Sequence, residues 1–540
     1  MKRFNTGLCA VFKFIFLTWH RNAALKLWVC IFLYALLSGL ALQLVILPHV
    51  FPQLNAGNGL LAGRDWVGFH VQAVAHAKQI ALNGWGEFRL RPDGDNAIIG
   101  VAAFFYVNFG PHPWTLLPLN AAMFAIGGVA LFSMLKRLEL DDGEAIVALM
   151  PYLFFPSALL QFGQIHKDVF CTAGILVILW TWVGLLRKDR EVSKIFLLLV
   201  ISALALIFVS IFRPYFMFPF LGLGTGLLVW HVLKTVWQLI RLQTTKNKEV
   251  HVFKLKFNFA SSAILIIVVG FVYVMSTNYL DVRASSVESD DQVNGNQSSV
   301  KPGKSPGVFA FPVFVIKSNA TVRSADTVRL FSAGSAEDRD AAVKTANLEA
   351  AAIKAVQECR PIVILKDDAF LENTINRIFL KIAVARAGFT SSGGTTAASN
   401  IDKNIDFCKN EDLIRYIPRA MQIALFAPFP SKWFSTEKRN SSSVEIYISA
   451  VEMFYTYIAY IGLLYWLVSY RRWNIELLVP VAFALGLTLL LGLTVANVGT
   501  LYRMRFPFAM IFISLGMAGL MQMAKIRPRL LERLDSNADR

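Results

Sequence analysis

Residues 162–186 have the sequence FGQIHKDVFCTAGILVILWTWVGLL, and this stretch determines the class of fold. From Val169 to Leu186 it contains no charged side chain. That length is close to the roughly 20 apolar residues that an α-helix needs to cross the hydrocarbon core of a bilayer. His166, Lys167 and Asp168 stand immediately before the apolar run. The stretch therefore predicts a membrane-spanning helix with a polar group at one end.

The whole chain of 540 residues has the same apolar character, with 55% hydrophobic and 16% charged residues. Ordinary soluble proteins carry about 25% charged residues, so this composition excludes a plain cytosolic enzyme. Five cysteines in a chain of this length also exclude a small disulfide-stapled protein. The formal net charge of +17 allows two interpretations. It indicates either a nucleic-acid-binding surface or basic cytoplasmic loops between membrane spans.

Further apolar runs predict an all-α polytopic membrane protein with about ten transmembrane helices. The first run has no small-residue cleavage site at its end, so we interpret it as an anchor rather than a removable signal peptide. The predicted spans are 27–48, 114–135, 145–162, 169–186, 195–212, 215–240, 258–279, 445–469, 475–495 and 506–524.

The distribution of Lys and Arg predicts the orientation. With both termini in the cytoplasm, the short basic clusters fall in cytoplasmic segments, as the positive-inside rule requires. No basic stripe interleaved with aromatic residues occurs elsewhere, so we expect no nucleic-acid partner. The segments assigned to the cytoplasm are 1–26, 136–144, 187–194, 234–257, 470–474 and 525–540.

This topology divides the chain into three parts. Residues 1–280 form an N-terminal module of seven spans, whose outer segment 49–113 contains amphipathic helices. Residues 281–443 form a large mixed extracytoplasmic loop domain, inserted before the last three spans in 444–540. Cys359 and Cys408 both lie in that loop. An oxidising compartment permits a disulfide between them, and two free thiols are the alternative.

Several polar residues lie on the predicted outer side at positions where the membrane makes them unfavourable. Asp65, in GRDWVGFH, is a candidate general base at the start of an amphipathic helix, and helix capping is the alternative. Lys167 is a candidate phosphate ligand with Asp168 in support; snorkelling of the lysine to the headgroups, with Asp168 at a helix N-terminus, is the alternative. Arg213, in IFRPYFMF, is bracketed by apolar runs, which favours an anionic partner; we expect a substrate phosphate, and a lipid headgroup phosphate is the alternative.

The last module contains the remaining candidates. Arg503 and Arg505, in NVGTLYRMRFPF, have guanidinium groups that match phosphate geometry, and headgroup anchoring is the alternative. Glu445 and Glu452 lie seven residues apart, on one face of the eighth span. Glu452 either pairs with an arginine or supports the site.

Motifs for other chemistries are absent from the sequence. There is no Walker phosphate loop, no GxGxxG after a strand, no HExxH and no closely spaced Cys/His set. An outward-facing site has no access to cytosolic ATP. A substrate that is already activated and carried to the outer face, such as a polyprenyl-phosphate-linked sugar, is the better fit.

The chain resembles the GT-C superfamily of membrane-embedded glycosyltransferases, and most closely its bacterial branch that uses polyprenyl-phosphate-linked sugars. The similarity lies in the Asp65 loop and three stretches: NAIIGVAAFFYVNFGPHPWTLLPLNAAMFAIGG at 96–128, PSALLQFGQIHKDVF at 156–170 and LYRMRFP at 501–507. Asp65 is followed by Trp66 rather than by a second acid. The large soluble piece also precedes the last three spans, whereas many relatives carry theirs at the C-terminus.

The resemblance implies an enzyme of cell-surface polysaccharide assembly in the bacterial cytoplasmic membrane. Asp65 would be the catalytic base, and Lys167, Arg213, Arg503 and Arg505 would hold the phosphate of the lipid carrier. The implied partners are a polyprenyl-phosphate-linked sugar, a glycan or lipid acceptor and membrane lipids. No cofactor is assigned, and a divalent metal stays an open alternative because the first-loop Asp of the family is either a base or a ligand. Two other functions stay open: an O-antigen-type polymerase or ligase, and a transporter of lipid-linked precursors.

Overall fold

The computed structural model describes residues 23–62, 65–92, 96–186, 192–217, 219–226, 409–433, 443–469 and 475–538, with single positions 229, 233 and 270 and several positions between 378 and 407. Within these residues the chain is helical, and its only strand-like pairings are isolated bridges, Asn55 with Leu61 and Asn400 with Asn497. The predicted all-α class is therefore confirmed for this part of the chain. Cys359 and Cys408, for which a disulfide and two free thiols were the alternatives, lie outside the described residues, as does most of the loop domain.

The helices fall into an N-terminal and a C-terminal series, and α1 continues as a π-helical segment, Leu42–Val50. The N-terminal series is α1 (Ala23–Ala41), α2 (Asp65–Asn83), α3 (Ala97–Phe109), α4 (Leu117–Arg137), α5 (Asp142–Phe154), α6 (Pro156–Phe162), α7 (Asp168–Leu186) and α8 (Val192–Phe212). The C-terminal series is α9 (Asn410–Phe426), α10 (Ser443–Ser469), α11 (Ile475–Thr494), α12 (Val498–Met504) and α13 (Phe506–Ala538).

The described residues contain 6 helices long and apolar enough to cross a membrane, which confirms a membrane protein. They are Ala23–Val50, Pro113–Arg137, Asp168–Leu186, Ser193–Phe212, Tyr447–Val468 and Phe506–Ala524. The predicted count of ten is not confirmed. Most of the predicted spans 215–240 and 258–279 lies outside the described residues, and the apolar part of α11 is the shorter helix Val479–Thr494.

The third predicted span, 145–162, differs most from its prediction. Its residues form two helices, α5 and α6, which are bent by 66° relative to one another at Phe155. Pro156 opens α6 at the first helical position, where the missing N–H has no intrahelical acceptor. The proline also disfavours helical geometry at Phe155, whose ψ of 127° is extended. Hydropathy detects only the continuous apolar run, so the prediction missed this bend.

The chain divides into two compact units. Helices α1–α8, α10, the first half of α11 and α13 belong to the first unit, and α9, the last part of α11 and α12 belong to the second. In the first unit α10 packs along α13, and α4 packs against α1 and α7. Gly462 and Gly516 permit the close crossing of α10 and α13, because a Cβ atom at Gly516 would collide with the Ala459 carbonyl.

One face of α10 remains exposed along its length. Its large apolar side chains recur every three or four residues, which is one helix face. Exposed apolar stripes of this length are unfavourable in water and typical of contact with lipid. The stripe consists of Val451, Phe454, Ile458, Ile461, Leu464 and Val468.

Candidate functional site

The short connection between α6 and α7 carries three of the polar residues singled out in the sequence. The carboxylate of Asp168, at the first position of α7, forms an ion pair with the guanidinium group of Arg213, which directly follows α8. Asp168 is 4% exposed and Arg213 is 7% exposed. Two residues far apart in sequence are thus joined in a buried ion pair at one end of the helix bundle.

Lys167 lies beside this ion pair. Its Nζ donates a hydrogen bond of 2.6 Å to Oδ1 of Asn96, and it lies 6.0 Å from the centroid of the Phe69 ring. Burial and the nearby positive charge of Arg213 lower the pKa of Lys167 from 10.5 to about 8, against the opposing effect of Asp168, Cys171 and Asp65. Below that pH the amine keeps its charge and can bind an anion.

Asp65 is the first residue of α2, and its side chain is exposed. The following residue, Trp66, is buried, and its indole N–H donates a hydrogen bond of 2.5 Å to the Leu61 carbonyl. The same ring meets the edge of the His166 ring, with 5.9 Å between centroids. Trp66 therefore fixes the start of α2 against the connection that carries Lys167, and the electrostatic effect of Asp65 on Lys167 agrees with this placement.

His166 is the fifth polar side chain of this group, and it is 3% exposed. Its Nδ1 lies 3.2 Å from the backbone nitrogen of Asp168 and 3.1 Å from Oδ2 of the same residue. A neutral ring accepts the backbone N–H there, whereas a protonated ring donates to the carboxylate. We refer to Asp65, Lys167, Asp168 and Arg213, with His166, as the charge cluster.

Glu452 lies elsewhere in the first unit, at the break between α5 and α6. It is 2% exposed, and its Oε1 accepts a hydrogen bond of 2.6 Å from the backbone N–H of Ser157, in the first turn of α6. A carboxylate stabilises a helix N-terminus, where the backbone N–H groups lack intrahelical acceptors. The ring of Tyr455, one turn further along α10, contacts Phe155 with 5.5 Å between centroids. Glu452 thus supports the bend that leads to the charge cluster.

Arg503 and Arg505 belong to the second unit. The guanidinium group of Arg505 donates hydrogen bonds of 2.5 Å to the carbonyl oxygens of Ala424 and Ala427, at the carboxyl end of α9. Its Cζ lies 4.9 Å from the centroid of the Tyr502 ring, and the residue is 4% exposed. These contacts favour a structural role for Arg505 as the C-terminal cap of α9. Arg503 lies in the last turn of α12 and is partly buried.

Sequence reasoning missed two arginines that bind helix ends. In the first unit, Arg91 donates to the carbonyl oxygens of Ser210, at 3.1 Å, and Ile211, at the end of α8. In the second unit, Arg386 is 2% exposed and donates to the Leu493 carbonyl, at 3.3 Å, at the end of α11. The isolated charge in the apolar run KIAVARAGF is a signal for Arg386, whereas no pattern points to Arg91.

Asn96 is a further residue that the sequence did not identify. It occupies the N-cap position of α3, where Asn normally accepts a backbone N–H of the first turn. Its side chain makes no such capping bond, and its Oδ1 accepts a hydrogen bond from the Lys167 ammonium instead. Among the described residues, no group of three or more His, Cys, Asp or Glu side chains comes together as a metal site.

Comparisons with known proteins do not identify a family. No family model, no curated protein and no solved structure matches the chain.

Proposed function

We propose that the protein transfers a sugar from a polyprenyl-phosphate carrier to a glycan or lipid acceptor at the outer face of a bacterial cytoplasmic membrane. The observation that carries the proposal is an exposed carboxylate, Asp65, close enough to the partly buried cation Lys167 to affect it electrostatically, at the end of a membrane helix bundle. Transfer of a glycosyl group requires a base for the acceptor and a cation for the phosphate that leaves.

The reaction assigns one task to each side chain. Asp65 accepts the proton of the acceptor hydroxyl as its oxygen bonds to the anomeric carbon with inversion. The bond from that carbon to the phosphate oxygen breaks, and its electron pair remains on polyprenyl phosphate. The Lys167 ammonium stabilises the charge that develops on that oxygen. Arg213, which forms an ion pair with Asp168 beside Lys167, is the second phosphate candidate of this unit. Arg503, in the second unit, remains a phosphate candidate to be tested separately.

An amide in place of the Asp65 carboxylate tests the proposal. Removing a general base typically lowers the rate about 10²–10⁴-fold, and Asp65→Asn keeps the size of an exposed side chain, so we expect the folded protein to be inactive. A deletion strain is complemented with wild-type protein or the variant, and its lipid-linked and surface glycans are analysed by mass spectrometry. We expect the variant to accumulate the same lipid-linked precursor as the deletion strain.

Asp142→Asn is the matched control for this experiment. Asp142 is also an exposed aspartate in the first turn of a membrane helix, but its partner is Lys136, at a distance of 2.7 Å. This variant should restore normal glycans. Normal glycans with Asp65→Asn, at wild-type protein levels, would refute the proposed role of the carboxylate. Precursors that carry whole, unjoined repeat units would instead identify the polymerase or ligase alternative.

One observation favours the transporter alternative. Transporters commonly contain broken membrane helices with buried polar groups at the break, and the bend between α5 and α6 with Glu452 has this character. Purified protein in nanodiscs separates the two functions. A transferase makes a new glycosidic bond from a polyprenyl-phosphate-linked sugar in a single detergent or lipid phase, whereas a transporter leaves that substrate chemically unchanged.

A further inference from the structure

Three buried amide side chains surround the connection that carries Lys167 and Asp168. They are Gln43 in the π-helical segment after α1, Asn120 on α4, and Gln164 in the connection itself. They are 2%, 1% and 0% exposed, respectively. Amides at this depth are unfavourable unless they are hydrogen-bonded, so their bonds indicate what they stabilise. We refer to these three residues as the amide clasp.

Two members of the clasp bind backbone carbonyls at the end of α6. Asn120 Nδ2 donates to the carbonyl oxygens of Phe162, at 3.1 Å, and Gln164, at 2.9 Å. Gln43 Nε2 donates to the Gly163 carbonyl at 2.8 Å. The last carbonyls of a helix lack intrahelical partners, and in apolar surroundings they would otherwise turn towards water. Asn120 and Gln43 thereby hold the connection inside the bundle.

The third member ties this connection to the start of α2. Gln164 donates through Nε2 to the Gly59 carbonyl at 3.3 Å and accepts the backbone N–H of Leu61 at 3.2 Å. The Leu61 carbonyl in turn accepts the indole N–H of Trp66, which adjoins Asp65. A continuous chain of hydrogen bonds therefore runs from the Lys167 connection to the helix that presents Asp65.

We infer that Gln43, Asn120 and Gln164 are positioning residues. They hold the Lys167 amine and the Asp65 carboxylate at fixed positions relative to one another, so that both can contact the same substrate. The catalytic aspect of this inference rests on the proposed function. The placement of Lys167 does not rest on it, because that placement has an observable of its own. The groups that act on Lys167 are Arg213, Asp168, Cys171 and Asp65, and the burial that lowers its pKa requires the connection to stay inside the bundle.

The reactivity of the Lys167 amine measures this placement. The full-length protein in nanodiscs is treated with a trace of acetic anhydride at a series of pH values, and acetylation of Lys167 is quantified by peptide mass spectrometry. Asn120→Leu has a side chain of similar volume and removes the two hydrogen bonds to the Phe162 and Gln164 carbonyls. Gln43→Leu removes the one hydrogen bond to the Gly163 carbonyl. We expect the midpoint to move from about 8 towards 10.5 in both variants. The reactive fraction at pH 8 should then fall from about one half towards less than one hundredth.

Thr181→Val is the matched control, because Thr181 is 0% exposed and donates only within its own helix, to the Ile178 carbonyl. Its midpoint should stay at the wild-type value. An unchanged midpoint in Gln43→Leu and in folded Asn120→Leu would overturn the inference and leave the clasp as a stabilising feature only. If Asn120→Leu does not fold, Gln43→Leu decides. If wild-type protein transfers no sugar, the proposed function fails while the labelling result still decides the placement.

Discussion

Arginine side chains of this protein repeatedly lie at the carboxyl ends of helices. Arg91 binds the end of α8, Arg505 the end of α9, and Arg386 the end of α11. Helix carboxyl ends carry unsatisfied carbonyl oxygens and a partial negative charge, so a guanidinium group there is stabilising. An arginine on the predicted outer side therefore does not by itself indicate a phosphate. Arg213 differs from the other three because its partner is a carboxylate.

The buried ion pair of Asp168 with Arg213 should make the stability of the protein depend on both residues together. Removing one member of a buried pair typically costs about 3–5 kcal/mol, because the other charge stays buried. We expect Arg213→Met and Asp168→Leu each to lower the thermal unfolding temperature of the purified protein strongly. The double variant should unfold at a higher temperature than either single variant. Additive effects of the two substitutions would contradict this coupling.

Under the proposed function, the charge of Lys167 makes the affinity for the lipid carrier depend on pH. Its pKa of about 8 means that the ammonium is present below that pH and is lost as the pH rises through it. We therefore expect kcat/KM for the lipid-phosphate substrate to fall as the pH rises through this midpoint. Lys167→Arg, whose charge persists across this range, should remove the alkaline decline. A decline that persists in that variant would assign it to another group.

At the level of helices, sequence patterns predicted which segments are helical better than they predicted how those helices bend and pack. The uncharged run after Asp168 correctly predicts α7, and the amphipathic pattern that begins at Asp65 correctly predicts α2, Asp65–Asn83. The bend at Phe155 was missed because hydropathy measures only composition. The short distance between Asp168 and Arg213 was also beyond the sequence, because it depends on how α7 and α8 pack. The spacing of apolar residues indicates which face of a helix is buried, but not which other helix packs against that face.

The crossing of α10 and α13 depends on glycine. A methyl group at Gly516 would overlap the Ala459 backbone, and overpacking of this kind typically costs about 1–3 kcal/mol. We expect Gly516→Ala to lower the unfolding temperature. Gly486→Ala on α11 is the control, because nothing lies within 4 Å of its added Cβ. That substitution should leave stability unchanged or raise it slightly, since alanine is the better helix former. Equal effects of the two substitutions would contradict a close helix crossing.

On the scale of the whole molecule, the described residues include an exposed apolar stripe on α10, and the sequence has basic clusters in its predicted cytoplasmic segments. The stripe on α10 supports contact with lipid, whereas the direction in which the chain crosses the membrane rests on the distribution of Lys and Arg. Composition was sufficient to predict a membrane protein. The charge cluster was predictable only as a set of residues on one side, because their contacts arise from tertiary packing.

Labelling in intact cells tests the orientation. The turn after α2 contains Trp85, which is exposed, and the turn between α4 and α5 contains Glu139. We expect the Trp85→Cys variant to react at that position with a membrane-impermeant maleimide, and the Glu139→Cys variant to react at its position only after the membrane is permeabilised. Peptide mass spectrometry identifies the labelled position without removal of the native cysteines. The reverse pattern would invert the topology and place the charge cluster in the cytoplasm.

The bend between α5 and α6 has a consequence for the surrounding bilayer. The 13 residues of α5 and 7 residues of α6, bent by 66°, reach about 24 Å along the direction of α5, against a hydrocarbon core of about 30 Å. Ile146, Met150 and Phe154 form an exposed row on α5, so lipid meets this short pair directly. Hydrophobic mismatch of this kind thins the adjacent leaflet. We therefore expect the leaflet beside α5 and α6 to be thinner than the surrounding bilayer.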